Sequence, residues 1–154
     1  MSKIKEVKAR QLIDCKCRPM VEVDVITEKG SLGRGSAPTG SSVGMYESFV
    51  LRDNDPKEYN GMSVHKAVEN VNKIIAPALV GKEVSAQDEI DKIMIELDGT
   101  PDKHSLGGNA IYRAPIAAFR AAAEAPGQTL YDFLAGAPVQ YAPIPQRNAL
   151  QRGK

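Results

Sequence analysis

The spacing of apolar residues changes once along this chain, and that change limits the folds that the chain can adopt. In the first third, apolar and polar residues alternate, most clearly over residues 20–27, where valines alternate with Glu22 and Asp24. A period of two indicates a strand with one buried face. From Tyr46 onward the period is close to 3.6, which is typical of amphipathic helices. Strands followed by helices predict an α+β fold.

Three strands are predicted before the change of period. Residues 20–27 predict a half-buried antiparallel strand, and Pro19 stands at its start, where a missing N–H does little harm. Residues 4–13 predict a weaker strand, and a turn at residues 29–30 leads into a short third strand over residues 32–37. We therefore expect a three-stranded antiparallel β-meander.

About four helices are predicted after the strands. Ser63 is expected to cap the first helix, and Pro77 to kink or end it. A capping box at residues 85–88 is expected to start the second helix, and Gly99 to end it. The apolar stripes of these two helices are Val64, Val68, Val71 and Ile75 in the first and Ile90, Ile93, Met94 and Leu97 in the second.

The third predicted helix covers about residues 109–125 and is rich in alanine, and a short fourth covers residues 130–134. Arg113 and Pro115 interrupt the third helix. An interior proline costs about 3 kcal/mol relative to alanine, so a natural core helix would rarely accept both residues.

Length and charge exclude several classes of protein. A chain of 154 residues has room for one domain but not for an added eight-stranded barrel. Its 20 basic and 19 acidic side chains give a net charge of +1, which argues against a nucleic-acid partner. No apolar run approaches the roughly 20 residues that span a bilayer, and the N-terminus has no apolar signal core. We expect a cytoplasmic protein with no membrane partner.

Domain boundaries follow from a change in composition near the end of the chain. Residues 1–136 are expected to form the domain, and residues 137–154, which contain several prolines and little periodicity, are expected to be a linker and the start of a further domain.

The residues that most often bind metals give no metal site here. Cys15 and Cys17 lack the second ligand pair of a structural zinc site, and a bridge across one residue is strained, so we expect reduced thiols. His65 and His104 are expected to be solvated. Three acids without EF-hand spacing are expected to form a solvated turn. These acids are Asp53, Asp55 and Glu58.

Residues 35–47 form a loop rich in glycine and serine, which taken alone is most often a flexible connector. The order of motifs along the whole chain, however, resembles that of enolases over residues 4 to about 134. The motifs are V-E-V-D-V at 21–25, P-T-G-S-S-V-G-x-Y-E at 38–47, L-R-D at 51–53, K-A-V-E-N-V-N at 66–72, I-I-A-P-A-L at 74–79, D-G-T at 98–100 and G-N-A-I at 108–111. A P-x-P-x-x-N segment at 143–148 resembles the start of the enolase barrel, so we expect the chain to stop at a domain junction.

The resemblance implies an enolase N-terminal capping domain, with three strands and a cluster of helices but no barrel. It also implies that the intact protein is a carbon–oxygen lyase, which uses Mg²⁺ to interconvert 2-phosphoglycerate and phosphoenolpyruvate. In enolases the base, the acid and the main metal carboxylates project from the barrel. We therefore expect no catalytic residue in this chain, no activity from the chain alone, and the barrel domain as its partner.

By resemblance, this chain contributes the mobile substrate loop. Ser42 matches the serine that ligates the second Mg²⁺, and only when substrate is present, so we expect the isolated chain to bind magnesium weakly or not at all. The residues of the loop are Thr39, Gly40, Ser41, Ser42 and Gly44. The resemblance also implies a homodimer face that includes Lys16, Arg18 and Glu22, with Lys16 in place of the family's arginine.

Two other functions fit the same residues. Thr39 and Val43 stand where enolases usually have serine and threonine, which also fits an enolase-like enzyme acting on another phosphorus-bearing enolpyruvate. A non-catalytic domain, stand-alone or engineered for interaction, is the third interpretation. Polar pairs at residues 146–147 and 151–152 fit a surface that has been made polar in the absence of a barrel.

Overall fold

The three strands precede all of the helices in the computed structural model, which describes residues 2–36, 38–40 and 44–136. The strands are β1 (Ile4–Ile13), β2 (Pro19–Thr27) and β3 (Leu32–Ser36). Each strand pairs antiparallel with the next along the chain. The predicted three-stranded meander is therefore confirmed, with every strand within one residue of its expected bounds.

Six α-helices follow within the described residues and complete the α+β fold. They are α1 (His65–Asn70), α2 (Ala76–Leu79), α3 (Gln87–Asp98), α4 (Gly108–Ile111), α5 (Arg113–Glu124) and α6 (Leu130–Ala135). A π-helical segment, Val71–Ile75, joins α1 to α2, and a 3-10 turn, Tyr59–Gly61, precedes them. In the part of the chain that the structure describes, no helix is both long enough and apolar enough to cross a bilayer.

The inner face of the sheet is covered mainly by α5. Val21, Val23 and Val25 are completely buried on this face, as their alternation predicts. The helix offers small side chains in return, which lets it lie close to the strands. The buried alanines of α5 are Ala114, Ala117, Ala118, Ala121, Ala122 and Ala123.

Two glycines in β3 make the contact with α5 unusually close. A Cβ atom at Gly33 would lie 1.9 Å from the carbonyl oxygen of Ala117, and one at Gly35 would lie 2.2 Å from the carbonyl oxygen of Arg113. Both distances are far below van der Waals contact, and the atoms met are backbone atoms that cannot rotate away. Only glycine fits at these two positions with the helix in this place.

The cap of α1 differs from the prediction. Ser63 does not cap the helix, because its hydroxyl donates to the carboxylate of Glu58 at 3.2 Å. The carboxylate of Asp53 instead accepts the backbone N–H groups of His65 and Lys66 at 2.8 and 2.9 Å. A negative charge at a helix N-terminus is favourable as well as able to accept these bonds.

Pro77 does not end its helix. The π-helical segment before it lets the N–H of Ala76 donate to Val71, five residues back, and helical structure then continues to Leu79. Since proline has no N–H and its ring crowds the preceding turn, a wider turn at this point accommodates it. The predicted stripe is otherwise correct, with Val71 and Ile75 completely buried.

The start of α3 is also different from the prediction. Ala86 occupies the N-cap position without a side-chain bond, so the capping box at residues 85–88 is not formed. The hydroxyl of Ser85 lies 3.5 Å from the carboxylate of Glu83. The end of the helix is confirmed, because Gly99 adopts a left-handed φ of 68° directly after it.

The alanine-rich helix accepts both residues that were expected to disrupt it. It is divided at Tyr112, which itself has helical angles, into α4 and α5. Pro115 is the third residue of α5 and falls in its first turn, where a missing N–H costs little. Arg113 is buried, and its guanidinium donates to the carbonyl oxygen of Asn109 at 2.6 Å. The expectation that a core helix would reject this pair is therefore wrong.

Candidate functional site

The predicted substrate loop begins where the chain leaves β3. The structure describes Thr39, which is half-buried, and Gly40 and Gly44, which are exposed. Ser41 and Ser42, including the predicted magnesium ligand, lie outside the described residues, as does the predicted linker at residues 137–154. The structure therefore describes the candidate site at the base of the loop, which is formed by Thr39 and Gly40.

Arg18 holds the base of the loop from one side. It lies in the turn between β1 and β2, where the carboxylate of Asp14 accepts the backbone N–H groups of Lys16 and Arg18 at 2.8 and 2.9 Å. The Arg18 guanidinium then donates to the carbonyl oxygens of Thr39 and Gly40. The Arg18 amide and the other donors around Asp14 lower the pKa of that carboxyl.

Arg52 holds the same segment from the other side. One of its Nη atoms lies 2.6 Å from the carbonyl oxygen of Pro19 and 2.6 Å from that of Met62. The other lies 3.1 Å from the hydroxyl oxygen of Thr39. Burial and the charge of Arg18 lower the pKa of Arg52. Two guanidinium groups thus bind consecutive residues at the start of the loop.

A third arginine, Arg113, lies close enough to Arg52 to interact with it electrostatically. The guanidinium of Arg113 is buried, and this burial together with the charge of Arg52 lowers its pKa to about 10. Arg113 remains protonated at neutral pH at that value. The carboxylates of Asp14 and Asp53 offset part of the positive charge around Arg52.

The residues of the predicted dimer face belong to two different clusters. Lys16 is exposed in the turn, while Arg18 is committed to the loop. Glu22 lies on the outer face of the sheet, where two arginines and two acids pair across the strands. The ion pairs of this cluster join Arg10 to Glu22 and Asp24, and Arg34 to Glu22 and Asp24. Hydrogen bonds from Arg34, followed by those from Arg10, hold the pKa of Asp24 below its usual range.

The remaining candidate residues lie at the surface. Cys15 and Cys17 are free and exposed, as expected. His65 and His104 are exposed too, but each has a carboxylate neighbour that the sequence does not predict, Glu58 at 3.1 Å and Asp102 at 2.6 Å, respectively. Across residues 2–36, 38–40 and 44–136, no three His, Cys, Asp or Glu side chains come together as a metal site would require.

The two residues that organise the loop base, Asp14 and Arg52, have no role predicted from the sequence. Arg52 does lie in the L-R-D motif at residues 51–53, and that motif is the one signal that could have indicated it. Its partners are 10 to 33 residues away along the chain, so local patterns do not reveal them.

An open three-stranded meander covered by helices, with arginines bound to the start of the loop after β3, defines an α+β domain without a barrel among the described residues. Residues 4–134 match the family described as "Enolase, N-terminal domain". The chain belongs to the enolase N-terminal domain family. Membership implies a C-terminal barrel domain in the intact protein and suggests that the intact protein is a lyase.

Proposed function

We propose that this chain supplies the mobile active-site loop for the Mg²⁺-dependent, reversible dehydration of 2-phosphoglycerate to phosphoenolpyruvate, and that it is inactive without the barrel domain. Family membership over residues 4–134 supports the assignment. The observation that carries it is the anchored loop base, because the contacts of Arg18 and Arg52 with Thr39 present the following residues from a fixed point.

The chemistry explains why two domains are needed. Removing a weakly acidic proton beside a carboxylate builds up negative charge on the carboxylate oxygens, and that charge must meet cations already in place. Magnesium supplies this stabilisation when it is bound. The resemblance leaves Ser42 as the one metal ligand from this chain, together with substrate oxygens, and the loop then excludes water from the reacting atoms.

The proposal extends to assembly and location. We infer that the protein is cytoplasmic, that residues 1–136 are the domain and residues 137–154 the connection to the barrel, and that Lys16, Arg18 and Glu22 contribute to a homodimer face. The charged cluster on the outer face of the sheet supports the last point, because its arginines, Arg10 and Arg34, keep part of their side chains exposed and could meet the charges of a partner. Light scattering after size-exclusion chromatography checks the oligomeric state.

A rescue assay tests the catalytic proposal. The 154-residue chain is added to a separately produced enolase barrel domain, and phosphoenolpyruvate formation is followed by ultraviolet absorbance. We expect turnover from the mixture and none from either part alone. Ser42→Ala should lower the rescued rate, while Ser85→Ala, at an exposed serine beside α3, should not.

The alternatives predict different outcomes of the same assay. An absence of rescue favours a non-catalytic interaction domain. Rescue with another phosphorus-bearing enolpyruvate, but not with 2-phosphoglycerate, favours the related enzyme that Thr39 and Val43 would also fit. Turnover by the chain alone would contradict the division of labour between the two domains.

A further inference from the structure

Arg52 joins three separate parts of the chain through one guanidinium group. Two of its acceptors are carbonyl oxygens on the scaffold, Pro19 at the first residue of β2 and Met62 just before α1. The third acceptor is the hydroxyl of Thr39 in the loop. The scaffold contacts fix the plane of the guanidinium whether or not the loop is bound, so Thr39 meets a donor that is already in position.

The segment that carries Arg52 is itself fixed. The neighbouring residue Asp53 donates its N–H to the carbonyl oxygen of Ser63 at 2.8 Å, and its carboxylate binds the first turn of α1. Arg52 is half-buried at this point. The backbone next to Arg52 is therefore held by the hydrogen bonds of Asp53, so the position of the guanidinium does not depend on the long side chain alone.

Arg18 provides a second and independent contact with the same loop residues. It donates to the carbonyl oxygens of Thr39 and Gly40, and Asp14 holds it from the turn between β1 and β2. Each of the two residues at the loop start thus contacts a cation that another element positions. Gly40 is exposed and is the last described residue before Ser41.

We propose that Arg52 is a positioning residue, which together with Arg18 fixes Thr39 and Gly40, the start of the substrate loop, to the scaffold. The importance of this arrangement for catalysis rests on the proposed function. The arrangement itself is a property of the 154-residue chain and can be measured on it. The hydroxyl of Thr39 is the part of the loop that Arg52 recognises, so the residue type at this position sets how firmly the loop is held.

Three variants test the contribution of the Thr39 hydroxyl separately from other effects of substitution. Thr39→Val keeps the size and branching of the side chain and removes the acceptor. Thr39→Ser keeps the acceptor and removes a methyl group. Arg52→Lys keeps the charge, but its single nitrogen cannot occupy the positions of both Nη atoms, which contact the scaffold and Thr39 separately.

The experiment is ¹⁵N relaxation on the labelled chain, with backbone order parameters read at Thr39 and Gly40. In the wild-type chain we expect values near those of rigid backbone, about 0.85. In Thr39→Val and Arg52→Lys we expect the order parameter of Thr39 to fall below the wild-type value toward the flexible limit of about 0.6, because only the Arg18 contact is left to hold this residue. Thr39→Ser should retain the wild-type value.

Two outcomes would overturn the proposal. Unchanged order parameters in Thr39→Val would show that the hydroxyl contact does not hold the loop, and equal mobility in Thr39→Ser and Thr39→Val would show that the hydroxyl is not the group recognised. If Arg52→Lys fails to fold, the two Thr39 variants still decide, because they leave the scaffold contacts of Arg52 intact. These results do not depend on rescue of a barrel, so failure here is distinct from failure of the proposed function.

Discussion

The contact between β3 and α5 and the base of the substrate loop are held together by opposite means. In the first, Gly33 and Gly35 let backbone meet backbone, and the partner helix contributes buried alanines. In the second, Arg18 and Arg52 donate to oxygens of Thr39 and Gly40 at the edge of solvent. One region depends on the absence of side-chain atoms, and the other on long side chains with directional donors.

This difference predicts that the two regions respond differently to substitution. Close backbone packing does not accommodate even one added methyl group, because that group forces the two backbones apart. Hydrogen bonds from charged groups are each worth only about 1.5–3 kcal/mol, so the loss of one should loosen the loop base without unfolding the domain. The following predictions test the contrast, from the largest expected effect to the smallest.

Gly33→Ala should produce the largest loss of stability. Its Cβ would overlap the backbone of Ala117 and Ala121, with distances of 1.9 and 2.2 Å, so strand and helix must separate at a cost of about 3 kcal/mol or more. Urea unfolding measures the effect. Gly44→Ala is the matched control, because the nearest atom there is a Glu47 side-chain oxygen at 3.4 Å. Equal stability of the two variants would contradict the packing argument.

Asp53→Ala should have an intermediate effect. It removes the carboxylate that binds two N–H groups at the start of α1, and loss of such a cap costs about 0.5–2 kcal/mol. Ser85→Ala removes a hydroxyl that caps nothing, so its free energy of unfolding should change by less than about 0.5 kcal/mol. If Ser85→Ala proved the more damaging of the two, the capping assignments would be reversed.

Acid should loosen the loop base before the packed region. The native pKa of Asp14 lies below its ordinary value of 3.8, so its carboxylate stabilises the fold above that value, and the stabilisation is lost as the pH falls through the native pKa. The chemical shifts of Thr39 and Gly40 should therefore change in acid. Asp14→Asn should show the loosened state at neutral pH, and shifts that do not respond to acid in the unmodified chain would refute the link.

Magnesium should have the smallest effect on the isolated chain. Calorimetry with MgCl₂ should give no saturable heat, because a lone loop serine offers a hard cation too few oxygen ligands. Ser42→Ala serves as the reference and should give the same trace. A Kd in the micromolar range for the unmodified chain would mean that the loop is a complete metal site, and it would contradict this prediction.

Much of the architecture could be predicted because its signals are local. The valine alternation in β2 and the i, i+3, i+4 pattern in α3 depend on neighbours a few residues apart. Pro115 shows where the same reasoning fails. Its cost depends on whether it falls in a first turn or an interior turn, and the position at which the helix divides, Tyr112, is not marked in the sequence.

The candidate site was predicted in part. The sequence predicts Thr39 and Gly40 in the substrate loop, and the structure shows their contacts with Arg18 and Arg52, while their role toward substrate stays a prediction. Whether Ser42 ligates magnesium remains a prediction. The anchoring roles of Asp14 and Arg52 were missed, because an arginine in a short motif does not indicate which distant carbonyl or hydroxyl it meets.

The sequence alone determined the order of strands and helices, the buried face of β2 and the family, because these follow from short-range periodicity and from the order of motifs. Tertiary structure alone decided which polar groups meet. Asp53 caps a helix that begins 12 residues later, and Arg52 contacts Pro19, which lies 33 residues earlier. Hydrogen bonds are short and directional, so such partners are selected only when the folded backbone brings them within reach.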